Sequence, residues 1–192
     1  MGSNNMHIVS DSKTAVGTTL ENLKAAVAGE TGASAKYAAY AQAAEKAEFH
    51  QVARLFQATS EAEKIHIGME TALIVKAEPD YQGPIATAPA PEFTDLNLIG
   101  SANGEIYETS DMYPSFIKRA EEEGDTAAAA VFGRAKAAEA FHAQRYLDAY
   151  STIDNPSDET YYLCPVCGYI HKGSDFERCP ICNAPKDRFR TF

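Results

Sequence analysis

The 192-residue chain lacks a long hydrophobic run: no apolar stretch approaches the roughly 20 residues that a membrane-spanning helix needs. We therefore expect no membrane association. Residues 1–13 are polar and lack the basic-then-apolar order of a secretory signal. These two absences together predict a cytoplasmic protein.

Basic residues are scarce, with 17 Lys and Arg against 27 Asp and Glu and a formal net charge of −10. The acidic excess lies in residues 1–160, because residues 161–192 hold five Lys or Arg and only three Asp or Glu. An acidic body argues against a nucleic-acid partner. The opposite charge of the C-terminal tail favours its docking on the body, although salt weakens such attraction.

Cysteine is absent from the first 163 residues, and all four cysteines follow in two Cys-x-x-Cys knuckles, Cys164–Cys167 and Cys179–Cys182. Two disulfides would suit a secreted protein, but no secretory signal supports that interpretation. The knuckles instead predict one tetrahedral metal site with four thiolate ligands. Spacing alone leaves both zinc and iron open. The prolines after Cys164 and Cys179, together with Gly168-Tyr169, favour iron, and zinc is the alternative occupant.

Residues at three- and four-residue spacing predict four helices, over 18–46, 50–77, 98–122 and 125–150. Short connections make the first two and the last two helices antiparallel hairpins. The middle connection, Glu78 to Asn97, contains four prolines and cannot form a continuous helix. Its twenty residues can span about 66 Å, which exceeds the length of about 40 Å of a 27-residue helix. This short–long–short order predicts an all-α, ferritin-like four-helix bundle.

The rest of the chain predicts a second, smaller unit. A polar stretch, 151–159, separates the bundle from the tail, and we place the domains at 1–155 and 156–192. The tail is too short for an ordinary core and needs a metal to hold it together. Pro114 is expected to kink the third helix.

On each predicted helix, the residues that recur at three- and four-residue steps form a stripe that faces the bundle interior. Glutamates or histidines interrupt this apolar stripe on all four helices. Burying so many unpaired carboxylates would unfold the domain, whereas two ferrous ions would offset their charge. In each Glu-x-x-His pair, the i, i+3 spacing puts both side chains on one helix face. Two such pairs on the second and fourth helices, with glutamates on the other two, match the pattern of di-iron carboxylate bundles. The predicted ligands are Glu30, Glu63, His66, Glu105, Glu108, Glu139 and His142.

Other polar residues near the stripes receive different predictions. Glu70 lies one turn beyond His66 and is expected to tilt to the surface or the end of the bundle. His7 and His50 are expected to be solvated. Tyrosines such as Tyr37 and Tyr113, on or beside the inward faces, are usually core residues with a hydrogen-bonded hydroxyl. They could equally orient a ligating carboxylate.

With these motifs in place, the chain resembles the rubrerythrin family over nearly all of residues 14–192. The resemblance rests on Ala-Gly-Glu30 followed by Tyr37, Glu63-Lys-Ile-His66, Glu105-Ile-Tyr-Glu108 followed by Met112-Tyr113-Pro114, Glu139-Ala-Phe-His142, and the rubredoxin-like tail. It implies two iron ions in the bundle and one in the four-cysteine site. It also implies a peroxidase that reduces hydrogen peroxide to water, with electrons relayed singly from the tail and supplied by a reductase or rubredoxin.

The resemblance also implies individual roles. Glu63 and Glu139 would bridge the two irons, and His142 and Glu105 would complete one of them. Glu30 would hold the other iron, which exchanges Glu108 in the oxidised state for His66 in the reduced state. Tyr37 and Tyr113 would hydrogen-bond the ligands.

Two alternatives stay open: a ferroxidase or iron-handling protein, and a scaffold whose tail is a zinc-stabilised interaction module. We also expect a homodimer. In it, the linker would lead each tail away from its own bundle and toward the di-iron site of the partner subunit.

Overall fold

The computed structural model describes residues 13–192, and long helices dominate it. The helices are α1 (Thr19–Lys46), α2 (His50–Ala77), α3 (Thr94–Tyr107), α4 (Tyr113–Glu122) and α5 (Thr126–Ser151). A π-helical turn, Glu108–Met112, joins α3 to α4, so the two form one interrupted helix. α1 packs along α2, and α5 packs along α3 and α4. The four-helix arrangement that the sequence predicts is confirmed. No helix within residues 13–192 has the combination of length and apolar character that crossing a membrane requires.

Local sequence explains where the helices begin and turn. Thr18 and Glu21 form a reciprocal capping box at the start of α1. Asp125 caps α5 by accepting a hydrogen bond from the backbone N–H of Ala128 at 2.9 Å. Gly124 has a φ of +75°, which suits glycine and allows the tight turn between α4 and α5. The linker between α2 and α3 covers residues 78–93, because α3 begins four residues earlier than the sequence predicts.

The expected distortion near Pro114 takes the form of the π-helical turn. The N–H of Tyr113 bonds to the carbonyl of Glu108, five residues earlier. Proline lacks the N–H that an α-helix needs, and its ring crowds the preceding turn. The wider turn directly before Pro114 accommodates both effects.

The bundle interior has two apolar clusters of different composition. One includes Phe56, Leu98 and Tyr146, and the other includes Leu23, Phe116 and Phe132. The carboxylates and histidines of the predicted site come from the same helices as both clusters. The apolar side chains supply the burial that keeps these polar groups from water.

The C-terminal tail forms a small antiparallel sheet with strand order β2-β1-β3. Its strands are β1 (Tyr161–Leu163), β2 (Ile170–Lys172) and β3 (Arg190–Thr191), and a 3-10 turn covers Lys186–Arg188. Leu163 and Ile170 are fully buried in the same apolar cluster as Phe56 of α2. The tail therefore packs on its own bundle. The expectation that the linker leads the tail away is wrong for this chain, because the tail shares apolar burial with α2.

Candidate metal centres

Six of the seven predicted carboxylate and histidine ligands meet inside the bundle. Each of the six is at most 1% exposed, and they come from α1, α2, α3 and α5. Their ligand atoms form two groups, each with all atoms within 4.8 Å of one another. One group is Glu30, Glu63, His66 and Glu139, and the other is Glu63, Glu105, Glu139 and His142. Glu63 and Glu139 belong to both groups, which is the placement a bridging carboxylate requires.

Several polar side-chain atoms at this site lie close together but have no hydrogen-bond partner among the described residues. The Nδ1 atoms of His66 and His142 lie 2.6 Å from the two carboxylate oxygens of Glu139. Neither nitrogen has a hydrogen-bond partner within residues 13–192, and the same is true of both oxygens of Glu63 and Glu139. Buried polar atoms without partners are costly and rare in folded proteins. Carboxylate oxygens and imidazole nitrogens converging in this way fit iron ions.

The electrostatics of the site lead to the same requirement for positive charge. Burial, and then the charges of Glu139 and Glu30, raise the pKa of Glu63 well above 4.5. Burial, and then Glu139 and Glu63, raise the pKa of Glu105. Burial disfavours protonation of His66, but neighbouring carboxylates, Glu139 foremost, outweigh it and raise the histidine pKa. The site needs protons or cations, since so many negative charges cannot share it alone.

Two tyrosines hold carboxylates of the site in place. The hydroxyl of Tyr37 donates to Glu105 at 2.5 Å, and that of Tyr113 donates to Glu30. Both tyrosines are at most 1% exposed. The contact that the resemblance implies for these hydroxyls is therefore present.

Four further positions carry predictions from the sequence. Glu108 is half-buried in the π-helical turn and belongs to neither four-residue group. The prediction for Glu70 is wrong: its side chain is fully buried, because the Tyr113 hydroxyl gives it a polar partner 3.1 Å away. His50 is exposed as expected, and His7 lies outside the described residues.

The four cysteines converge in the tail as a second centre. All four sulfurs lie within 4.8 Å of one another. Cys164 and Cys182 have sulfurs 3.4 Å apart, and Cys167 and Cys179 have sulfurs 3.5 Å apart. These distances far exceed the 2.05 Å of a disulfide, and they suit a tetrahedral metal with bonds of about 2.3 Å. Hydrogen bonds from Cys164 and Cys167 lower the pKa of the Cys179 thiol to about 2, whereas hydrogen bonds from Cys164 and Cys179 raise the pKa of the Cys167 thiol.

The two centres meet through backbone carbonyls of the tail. Nε2 of His66 lies 3.1 Å from the carbonyl oxygen of Cys167, and Nε2 of His142 lies 2.8 Å from that of Gly168. A carbonyl can only accept, so each histidine places its N–H on Nε2. The Nδ1 lone pairs are then left facing the carboxylates. In this way the tail selects the histidine tautomers that can bind a metal.

Gly168 makes this close approach sterically feasible. Its φ is +77°, and a Cβ at this position would lie 2.4 Å from Nε2 of His66. An edge-on contact between Phe141 of α5 and Tyr169, with ring centroids 4.7 Å apart, supports the same interface. Sequence analysis missed this contact, because backbone carbonyls carry no residue-type signal. The Gly168-Tyr169 pair after the knuckle was the available hint.

Comparison with known proteins gives matches along most of the chain. The family model described as rubrerythrin matches residues 21–150. A second, described as the rubredoxin-like domain of rubrerythrin, matches residues 162–190. The two matches correspond to the helical bundle and to the cysteine-bearing tail.

Individual relatives cover nearly their full lengths. Nigerythrin of Nitratidesulfovibrio vulgaris is 62% identical over 98% of this chain and 93% of its own. Rubrerythrin of the same organism is 35% identical over 89% of this chain and 92% of its own. A solved structure of nigerythrin in its fully reduced, all-ferrous state superposes with a TM-score of 0.95. It is 60% identical and covers 99% of this chain and 94% of that one.

Proposed function

The chain belongs to the rubrerythrin family, and on that premise we propose that it reduces hydrogen peroxide to water at a di-iron site. The observation that carries the proposal is the set of buried, unpartnered carboxylate and imidazole atoms. Both histidines of this set are hydrogen-bonded to backbone carbonyls of the tail, at Cys167 and Gly168 beside the four-cysteine centre. Storage of iron alone would not call for this second, redox-suited centre at the same place.

The ligand assignment follows from the two groups of converging atoms. Glu63 and Glu139 would be shared by two irons, since they belong to both groups. Glu105 and His142 would hold one iron, and Glu30 and His66 would hold the other. Glu108 lies outside both groups and His66 lies inside one, which is the arrangement that the family resemblance implies for the reduced state.

The protein's own residues prepare the site for this reaction. Two ferrous ions, when bound, would supply the two electrons that cleavage of the peroxide bond consumes. Burial of the ligands excludes bulk water, and the hydroxyls of Tyr37 and Tyr113 hold Glu105 and Glu30 in position. The carbonyls of Cys167 and Gly168 keep both histidines in the tautomer with a free Nδ1.

The same contacts support an electron path within one chain. It runs from the Cys167 sulfur through its backbone carbonyl to Nε2 of His66, and so to the carboxylate site. A four-thiolate iron fits this relay because its enclosed geometry changes little between oxidation states. A reductase or rubredoxin supplies electrons to the tail. The homodimer stays a prediction, and the path just described does not depend on it.

Metal content and substrate preference test the proposal. Iron-replete protein should hold about three irons per chain and be red from thiolate-to-iron charge transfer. Peroxide turnover with a reduced protein donor should exceed oxygen-driven oxidation of excess ferrous iron. Faster ferrous oxidation would favour the ferroxidase alternative. A colourless protein with one tightly held zinc and no iron would favour the scaffold alternative.

A further inference from the structure

A series of four aromatic rings leads from the carboxylate site to the surface of the bundle. It begins at Tyr37, whose hydroxyl donates to the proposed ligand Glu105. The ring centroid of Tyr37 lies 5.5 Å from that of Tyr146 and 6.0 Å from that of Phe56, and the rings of Phe56 and Tyr146 are 5.2 Å apart. Phe56 also meets the ring of Tyr40 edge-on at 5.4 Å, and Tyr40 is partly exposed. We call these four residues the aromatic path.

The other tyrosine bonded to the site has no such continuation. Tyr113 donates to Glu30, and its ring contacts pass to Phe132 and from there to Phe116. Phe116 is 2% exposed, and no further ring contact extends this series within residues 13–192. Aromatic rings commonly pack together in a core. Tyrosine, however, loses an electron more readily than phenylalanine, because its hydroxyl donates electron density to the ring. Of the two tyrosines bonded to the site, Tyr37 is therefore the one whose contacts lead to a surface tyrosine.

The two buried tyrosines of the aromatic path are poor places for an electron to be lost. Nζ of Lys36 lies 4.7 Å from the centroid of the Tyr37 ring, and a cation there opposes removal of an electron. The Tyr146 hydroxyl lies 2.5 Å from Oγ1 of Thr59, which donates its own hydrogen to backbone carbonyls of α2. Tyr146 therefore donates to Thr59, and a threonine hydroxyl is too weak a base to take the proton that an oxidised phenol releases.

Tyr40 has the opposite surroundings. Burial, and then the negative charge of Glu92, raise the pKa of the Tyr40 phenol. A negative charge that acts on the ring eases removal of an electron. Because Tyr40 is partly exposed, the proton of its oxidised phenol can pass to water. Along the aromatic path, an electron is therefore lost most easily at Tyr40.

We propose that Tyr40, through the aromatic path, supplies one electron to the carboxylate site when peroxide meets an iron pair that holds only one. The proposal rests on the proposed function. Fully reduced protein with about three irons holds about three electrons, whereas each peroxide takes two in becoming water. A second peroxide therefore finds one electron too few. Reduction by that one electron alone would split it into hydroxide and a hydroxyl radical, which attacks nearby side chains.

The proposed step balances in electrons and protons. Tyr40 loses one electron, its O–H bond breaks, the proton passes to water and a phenoxyl radical remains. The electron passes through Phe56 to Tyr37, directly or by way of Tyr146, and reaches the carboxylate site. With the electron of the remaining ferrous ion and two protons from solvent, it completes the reduction of peroxide to two waters. The intermediate rings end unchanged.

The first test locates the radical. Fully reduced, iron-loaded protein without further reductant is mixed with about two equivalents of peroxide per chain and frozen rapidly. Electron paramagnetic resonance should show a tyrosyl signal that narrows when the tyrosines carry ring deuterium. A nitroso spin trap should label Tyr40, as located by peptide mass spectrometry. A wild-type protein that oxidises its irons without a tyrosyl signal, or with a label on another tyrosine, overturns the proposal.

Tyr40→Phe should lose the tyrosyl signal and release more hydroxyl radical, measured with a nitrone spin trap. Tyr150→Phe is the matched control. Tyr150 is 43% exposed on α5 and makes no ring contact among the described residues, so this variant should behave as wild type. A tyrosyl signal of wild-type yield in Tyr40→Phe, or its loss in Tyr150→Phe, contradicts the proposal.

The second test interrupts the aromatic path while keeping Tyr40. Phe56→Leu removes the ring that Tyr40 contacts and should lose the label at Tyr40. Phe116→Leu removes an equally buried ring from the other apolar cluster and should keep the label. Iron content and Tm are measured for both variants. Retention of the label in Phe56→Leu, or its loss in both variants, overturns the proposal, and Tyr40→Phe decides the question if Phe56→Leu fails to fold.

The same experiment distinguishes this proposal from the proposed function. If peroxide leaves the irons of fully reduced wild-type protein ferrous, the proposed function fails and this proposal fails with it. If the first peroxide oxidises the iron pair but the second produces no tyrosyl signal, the proposed function stands and the electron supply from Tyr40 is refuted.

Discussion

Gly168→Ala should separate the tail from the carboxylate site without changing a metal ligand. The new Cβ would lie 2.4 Å from Nε2 of His66, against an ordinary contact of 3.4 Å or more, so the tail must move by about 1 Å. Such a movement breaks or weakens the hydrogen bonds from His66 to Cys167 and from His142 to Gly168. Each bond contributes about 0.5–1.5 kcal/mol, and the left-handed φ adds about 1–2 kcal/mol for alanine.

Gly173→Ala is the matched control. Gly173 is also in the tail and has a φ of +85°, but its added Cβ would meet only exposed side chains, Glu159 at 3.0 Å and Asp175 at 3.5 Å. Both variants carry the cost of the left-handed backbone. The difference between them, about 1–3 kcal/mol, therefore measures the two interface hydrogen bonds. It should lower the Tm of Gly168→Ala below that of Gly173→Ala by about 3–10 °C.

The decisive assay compares steady-state peroxide turnover, driven by a protein electron donor, with single-turnover oxidation of chemically reduced protein. Displacement by about 1 Å of groups that must be precisely placed can cost on the order of 100-fold, and we expect a steady-state loss approaching that size in Gly168→Ala. Single turnover should be less affected, because all the proposed ligands stay on their helices and only the hydrogen bonds that orient the two histidines are weakened. If Gly168→Ala matches Gly173→Ala in steady-state turnover, the electron path through the Cys167 carbonyl is refuted.

Three further predictions address the cysteines, Tyr37 and the effect of pH. Cys179→Ser should remove the red colour and steady-state turnover, while reduced protein still consumes about one peroxide per di-iron pair in a single turnover; normal steady-state turnover would exclude the tail as relay. Tyr37→Phe should destabilise the iron-loaded protein by about 1–3 kcal/mol by leaving a Glu105 oxygen unpartnered, measured by denaturant unfolding against Tyr40→Phe as control. Metal-free protein should lose stability as pH rises from 5 to 8. The pKa values of Glu63 and His66 are raised in the folded state above their ordinary values of 4.5 and 6.5. Over this pH range the folded state therefore binds more protons than the unfolded state, and a rise in pH favours unfolding. Iron should flatten this slope in thermal melts, and a metal-free protein that becomes more stable over the same range would contradict the electrostatic account.

The helices and their inward-facing ligands were predictable because periodicity and spacing are properties of side chains. The predicted bounds of α1, α2 and α5 agree with the structure to within one residue. The start of α3 was harder to predict from the sequence, since its first turn buries Thr94 and Asn97 rather than apolar residues. The π-helical turn was also missed, because steps of three and four residues between Glu105, Glu108 and Met112 read equally well as a continuous α-helix.

The errors about Glu70 and the tail have a different physical origin. Glu70 lies one turn beyond His66, where an ionised carboxylate buried without a partner would be costly. In the structure it is buried beside Tyr113, and burial raises the pKa of its carboxyl group, which favours the neutral form. The docking of the tail depends on backbone carbonyls and on the absence of a Cβ at Gly168, which residue types along the chain do not encode.

The π-helical turn makes the number of residues between Glu105 and Tyr113 critical. It accommodates one residue more than an α-helical turn, and each residue rotates an α-helix by about 100°. Tyr113 follows Glu105 by eight residues, and in an unbroken α-helix that separation would rotate the two side chains about 80° apart. The π-helical turn absorbs the extra residue, so that Glu105 and Tyr113 are both buried in the bundle interior. This segment should therefore tolerate substitutions at its exposed positions far better than the insertion of one more residue.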